Sequence, residues 1–243
     1  MAGVAAAYGR NDARSIRRDS LLLGVAAGPF MYAAAMWFLP ALTRYLDRDH
    51  GFDLVPYHAL VLSAFVVIGP VAVLGAVCGL LLIEDKDQRT LAALRITPAP
   101  PSSYPLYRAG TTIAATALSL TASMALTGQI EAEVVAASVP VTLLCGLNAA
   151  AVGFGLAALA HNKVEALALI RAIGLLLFGL PLVPFFYDHP ALIAFGAIPT
   201  YWPAKAFWEI WDGGNPWPYL AAGALYAGSL AWWLLRRLAS QKH

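Results

Sequence analysis

Long apolar runs separated by short polar stretches divide the chain. Six of them stand out, over 20–42, 57–83, 109–129, 134–160, 164–187 and 217–235. A helix that crosses a bilayer needs about 20 apolar residues, so each run predicts one transmembrane helix. Lipid and bundle interior are both apolar, and periodicity therefore does not separate their faces. Pro181 and Pro184 interrupt the outer half of the fifth run, where each removes a backbone donor and kinks or ends the helix. The 188–216 stretch that follows is too apolar for an ordinary loop. Its segments 192–195 and 201–208 predict one or two short helices lying in, or dipping into, the outer membrane face. Gly213, Gly214, Asn215 and Pro216 then break the chain before the last span.

Composition agrees with this pattern. Of 243 residues, 60% are hydrophobic and 12% charged, against about 25% charged in a soluble domain. The expected fold class is an all-α membrane protein with six transmembrane helices and both termini cytoplasmic. It forms a single domain over 1–243, with a cytoplasmic amphipathic tail (1–19), the spans (20–235) and a second tail (236–243). The basic tail residues are followed by an apolar run longer than the core of a signal peptide, which predicts a retained helix. Placing the N-terminus inside puts 13 of the 16 Lys and Arg residues on the cytoplasmic side and leaves Arg44, Arg48 and Lys205 outside, as the positive-inside rule requires. Small residues mark close helix contacts: Gly75 and Gly79 form a GxxxG in the second run, and Gly146, Ala150, Gly153 and Gly155 stud the fourth.

The cytoplasmic stretch 84–98 is the most informative polar segment. Asp87 is placed to cap a short helix, on which Leu91, Leu94 and Arg95 fall at i, i+3 and i+4. Thr97 precedes Pro98 and ends it. The product is a half-apolar knob rimmed by charge: either a docking element for another protein, or a solvated turn with Leu91 and Leu94 resting on the membrane. The tail residues Arg10, Arg14, Arg17 and Arg18 surround Ala13 and Ile16. They make an amphipathic element for anionic headgroups, or a topology signal alone.

Polar groups inside the runs are few. Arg171 lies seven residues past Val164, about 10 Å along the helix. It either serves a function, snorkels to the inner interface or pairs with Glu165. Asn148 sits mid-span, as path lining or as helix glue. Thr111, Thr112, Ser119, Thr121 and Ser123 give the third span a polar streak, although hydroxyls often bond back to their own helix. Cys78 and Cys145 read as packing residues. The sequence has no GxxxxGK[ST] for ATP and no His/Cys pattern for a metal, and the acidic Glu84, Asp85 and Asp87 read as a solvated loop.

Several pieces together carry a resemblance. They are Arg17, Arg18 and Asp19 leading into the first span, the 84–98 segment with its Thr90-Leu91-x-x-Leu94-Arg95-x-Thr97-Pro98 core, residues 162–165, and residues 199–208. With them the chain resembles the permease subunits of ABC-2-type ABC transporters (type V exporter-like), most closely the fluoroquinolone exporter branch. Arg89 stands where many members have Gly.

The resemblance implies that the N-tail, with Arg14, Arg17 and Arg18, is a connecting helix. It makes 84–98 a coupling helix touching an ATPase subunit through Glu84, Asp87, Gln88, Thr90, Leu91, Leu94, Arg95 and Thr97. Outer re-entrant helices bearing Tyr201, Trp202, Phe207 and Trp208 would close the exit. Thr112, Ser119, Ser123, Asn148 and Arg171 are the path candidates. The implied partners are ABC ATPase subunits, which hold the ATP and Mg, together with a second permease, membrane lipids and a small amphipathic substrate. No cofactor or nucleic acid belongs to this chain. The rival readings are a membrane-embedded enzyme of lipid metabolism and a non-transporting scaffold or immunity protein.

Overall fold

A computed structural model describes residues 27–87, 103–187 and 189–240. Every regular element of the described chain is a helix. Helices α1 (Gly28–Met36) and α2 (Leu39–His50) are separated at Trp37 and Phe38. Pro40 sits in the first turn of α2, where its missing N–H leaves no intrahelical bond unmade. Arg48 and His50 in the last turn and a left-handed Gly51 (φ 62°) end it. Residues expected to form one span to position 42 are thus a broken helix pair reaching His50. The N-terminal part of that expected span, with Arg14, Arg17 and Arg18 before it, lies outside the described residues.

The next helix runs from Val55 to Lys86 and changes character along its length. After α3 (His58–Leu62), residues Ser63–Ile68 form a π-helical segment, and α4 (Gly69–Asp87) follows. The cause is local. Pro70 has no N–H to offer and its ring crowds the preceding turn. The ladder therefore shifts register, and the Gly69 N–H bonds Ala64 O five residues back.

Helix α5 (Ser103–Leu126) returns, and the short α6 (Ala132–Ala137) leads into α7 (Val139–Leu159). Helix α7 is the hub of the bundle, packed by α4, α5 and α10 (Trp217–Ser240). Glycines set the spacing. A Cβ on Gly75 would lie 2.8 Å from Val152, one on Gly79 2.9 Å from Leu156, and one on Gly153 2.6 Å from Cys78. The GxxxG of α4 therefore meets the small face of α7. A Cβ on Gly146 would lie 2.6 Å from the backbone oxygen of Ile113.

These contacts fix direction. Pairings 75–152 and 79–156 rise together, so α4 and α7 are parallel. Gly146 meets Ile113 and Thr142 meets Thr121, so α5 is antiparallel to both. Gly223 lies against Leu144 and Leu234 against Gly155, so α10 runs with α7.

Helix α8 (Lys163–Phe178) is followed by 3-10 turns over Leu180–Phe186 and Pro190–Ala197, then by α9 (Tyr201–Trp211). Among the described residues, Val55–Lys86, Tyr104–Leu126 and Val139–Leu159 are long and apolar enough to cross a membrane. Lys163–Gly174 and Leu176–Phe186 meet at a 46° bend and pass the same test together, either as one broken span or as a re-entrant pair. The core has one cluster around Leu62, Val67, Leu120 and Phe207 and a second around Ile83, Tyr104, Phe154 and Leu234.

Candidate functional site

One end of the bundle is built by the last turns of α4 and the first turns of α5. Both helices extend beyond the expected spans: α4 reaches Asp87 and α5 begins at Ser103. Asp85, expected in a solvated loop, is instead buried. Its carboxylate accepts from Arg108 Nη2 at 2.9 Å and from the Tyr104 hydroxyl. The Arg108 guanidinium lies 5.3 Å from the centre of the Tyr104 ring and is itself only 3% exposed.

The residues on either side of Asp85 also reach other helices. The Lys86 ammonium donates to the Ala157 carbonyl at the end of α7, and Glu84 lies 3.4 Å from Lys163 at the start of α8. Helix α8 is opened by Asn162, whose Oδ1 accepts from the Glu165 N–H at 2.9 Å, while Glu165 accepts from the His161 N–H at 2.8 Å. This is a reciprocal helix-start arrangement. Glu165 also faces the His161 ring at 3.1 Å.

Of the expected ATPase contacts, Glu84 and the backbone of Asp87 belong to α4. Gln88, Thr90, Leu91, Leu94, Arg95 and Thr97 lie outside the described residues.

In the middle of the bundle, Thr112, Ser123 and Asn148 are buried. Ser119 bonds back to Thr116 O at 3.1 Å. Among the described residues, neither amide atom of Asn148 has a hydrogen-bond partner, nor have the hydroxyls of Thr116 and Ser123. A buried amide without a partner is costly. Arg171 is exposed on α8. An apolar groove of about 190 Å³ runs between α4, α7, α8 and α10, lined by Ala72, Val152, Gly155, Ile173 and Leu230 among others.

At the opposite end of the bundle, α9 buries Tyr201, Phe207 and Trp208 and half-buries Trp202. Trp202 Nε1 donates to Gly196 O at 2.9 Å, and Trp208 Nε1 donates to Ser63 Oγ at 2.8 Å. Thr200 donates to Leu177 O at 2.7 Å, tying the α9 entry to the last turn of α8. Lys205 pairs with Glu209 at 2.9 Å. Burial works against the Lys205 charge, but the Glu209 hydrogen bond and charge outweigh it and raise the pKa above the usual lysine value. Among the described residues no three His, Cys, Asp or Glu side chains gather as metal ligands.

The fold and these features define a multi-pass helical bundle of the cytoplasmic membrane. Comparison with known proteins narrows the class. The family described as fluoroquinolones export permease protein Rv2686c-like matches residues 12–235. Two Mycobacterium tuberculosis proteins, fluoroquinolones export permease protein MT2760 (strain CDC 1551 / Oshkosh) and Rv2686c (strain ATCC 25618 / H37Rv), are each 41% identical over 233 residues. The alignment covers 96% of this chain and 92% of theirs. No solved structure matches the chain. The chain belongs to this family of ABC-2-type permeases: it is a permease-type subunit of an ABC exporter system.

Proposed function

We propose that this subunit carries a small amphipathic, drug-like compound out of the cell through a path formed with a second permease, driven by separate ATPase subunits. The observation that carries the reading is the family match, which spans residues 12–235, from the N-tail to the last helix. Fluoroquinolones are the first compounds to test, because the relatives are named for exporting them.

In this reading the chain is one permease domain over 1–243 with six spans. The broken α1–α2 region and α10 complete the count. The shared direction of α4, α7 and α10, opposed by α5, supports alternating crossings with both ends inside. The 84–98 segment is the coupling helix, and Leu91 and Leu94 are its apolar contacts with the ATPase. Arg14, Arg17 and Arg18 mark the connecting helix. ATP and Mg²⁺ belong to the ATPase subunits. Their closure on ATP drives the coupling helices together and turns the cavity outward.

Asn148, buried without partners, has the character of a path residue that meets polar ligand groups or water in another state. Thr112, Ser119 and Ser123 lie on the antiparallel neighbour of its helix. Arg171, exposed on an apolar helix, needs an interface or a wet path around it. The Tyr201–Trp211 helix, bearing Trp202, Phe207 and Trp208, serves as the outer re-entrant gate. The test is co-purification of the chain with its ATPase, comparing wild type with Leu91→Asp and Leu94→Asp. The ATPase should be lost from both variants, and retention of full assembly and ATP-driven transport overturns the docking reading.

A further inference from the structure

Three consecutive residues at the cytoplasmic end of α4 bond to three different helices. Glu84 reaches Lys163 on α8, Asp85 reaches Tyr104 and Arg108 on α5, and Lys86 reaches the Ala157 carbonyl on α7. Consecutive helical residues point about 100° apart, so the three side chains fan out and leave the α4 end held on several sides. Asp85 and Arg108 stand on opposite stems of the cytoplasmic 88–102 segment. They are also the most buried charges of the group.

Burial argues against stability as the reason for this pair. Apolar residues of similar volume hold helices together as well as or better than a buried ion pair. What a guanidinium–carboxylate contact adds is a fixed distance and orientation. A second hydrogen bond and a ring face from Tyr104 strengthen that constraint.

We infer that Asp85, Tyr104 and Arg108 are positioning residues that lock the two stems of the cytoplasmic segment into one body. With Glu84 and Lys86 they distribute movement of that segment to α5, α7 and α8. The inference rests on reading the segment as the ATPase contact. It adds the route by which a push there reaches the helices around α7. A segment hinged on two independent stems would bend locally when pushed. Locked stems move α4 and α5 together, and Lys86 and Glu84 carry the hub and α8 with them.

The experiment uses the complete complex of permeases and ATPase in nanodiscs. Spin labels are placed on the exposed outer residues Arg48→Cys and Asp212→Cys, the native Cys78 and Cys145 being buried. In wild type, ATP should shift the distance between the labels. Asp85→Asn and Arg108→Gln should keep the ATPase bound and hydrolysing. The population that shifts with ATP should fall about tenfold, a coupling loss within the range seen for residues between sites. The charge swap Asp85→Arg with Arg108→Asp should recover most of the shift. Tyr104→Phe, which keeps both charges and their burial, should lose part of it and provides the test if the single charge variants fail to fold.

A full ATP-driven shift in the charge variants, or in Tyr104→Phe where those do not fold, overturns the inference, even if their melting temperatures drop. Loss of the ATPase from these variants also overturns it, since the cluster would then serve docking. A wild-type complex that shows no shift overturns the transport reading itself, which Leu91→Asp and Leu94→Asp test separately.

Discussion

Trp208 Nε1 donates to Ser63 Oγ at 2.8 Å, and Ser63 in turn donates to Leu60 O at 2.9 Å. The first bond joins helix α9 to the start of the π-helical segment, between residues 145 positions apart in the chain. Both side chains are buried. Helix α9 is therefore hydrogen-bonded to the part of the Val55–Lys86 helix whose ladder is out of α register. Phe185 adds an edge contact to the same indole at 5.2 Å between ring centres.

Ser63→Ala should expose the value of that bond. The variant leaves a buried indole N–H without an acceptor, which costs about 1–3 kcal/mol. Steady-state unfolding in mixed micelles should show that loss. The double variant Ser63→Ala with Trp208→Phe should lose less than the sum of the two single variants. Strict additivity would mean that the two side chains do not act on each other.

Two glycines separate packing from backbone preference. Gly146→Ala places its Cβ 2.6 Å from the Ile113 backbone oxygen, and backbone cannot swing aside as a side chain does. A loss of about 1–3 kcal/mol is expected from forcing α5 and α7 apart. Gly110→Ala meets nothing within 4 Å on the same helix α5. It should be neutral or stabilising by about 0.5–1 kcal/mol, because alanine is the better helix former. Equal effects in the same unfolding assay would contradict the close approach.

Asn148 distinguishes helix glue from path lining. Its two amide atoms lack partners in the described state. Asn148→Leu should therefore leave the subunit at least as stable, with a gain of up to about 2 kcal/mol from removing an unpaired buried group. If the amide serves transport, the same variant should lower ATP-driven fluoroquinolone movement about tenfold, the scale of one hydrogen bond to a ligand. A destabilised variant with unchanged transport per folded protein would assign Asn148 to helix packing instead.

Much of the fold was legible because lipid imposes one requirement on every span. Apolar length marks helices such as Tyr104–Leu126 and Val139–Leu159, and the Gly75/Gly79 spacing marks the face that meets α7. The details that escaped depend on tertiary contact. Nothing in the Phe65–Gly69 composition announces a π-helical register, though Pro70 supplied its cause. The break at Trp37 and Phe38 left no Gly or Pro at the break itself. Asp85 reads as an ordinary loop charge because its partners, Tyr104 and Arg108, stand 19 and 23 residues away. The available signal was the pairing of one acidic and one basic residue at the inner ends of adjacent spans. A helix over 201–208 was readable from its dense aromatics, but its bond to Ser63 was not.

The central claim is ATP-driven export by this subunit together with an ATPase, and transport measures it directly. The chain, its permease partner and the ATPase would be reconstituted in inverted vesicles, and a fluorescent fluoroquinolone followed as ATP is added outside. The account predicts uptake that needs ATP and Mg²⁺ and is lost in Leu91→Asp and Leu94→Asp. Uptake unaffected by ATP or by these variants, in vesicles that retain an active ATPase, would contradict it.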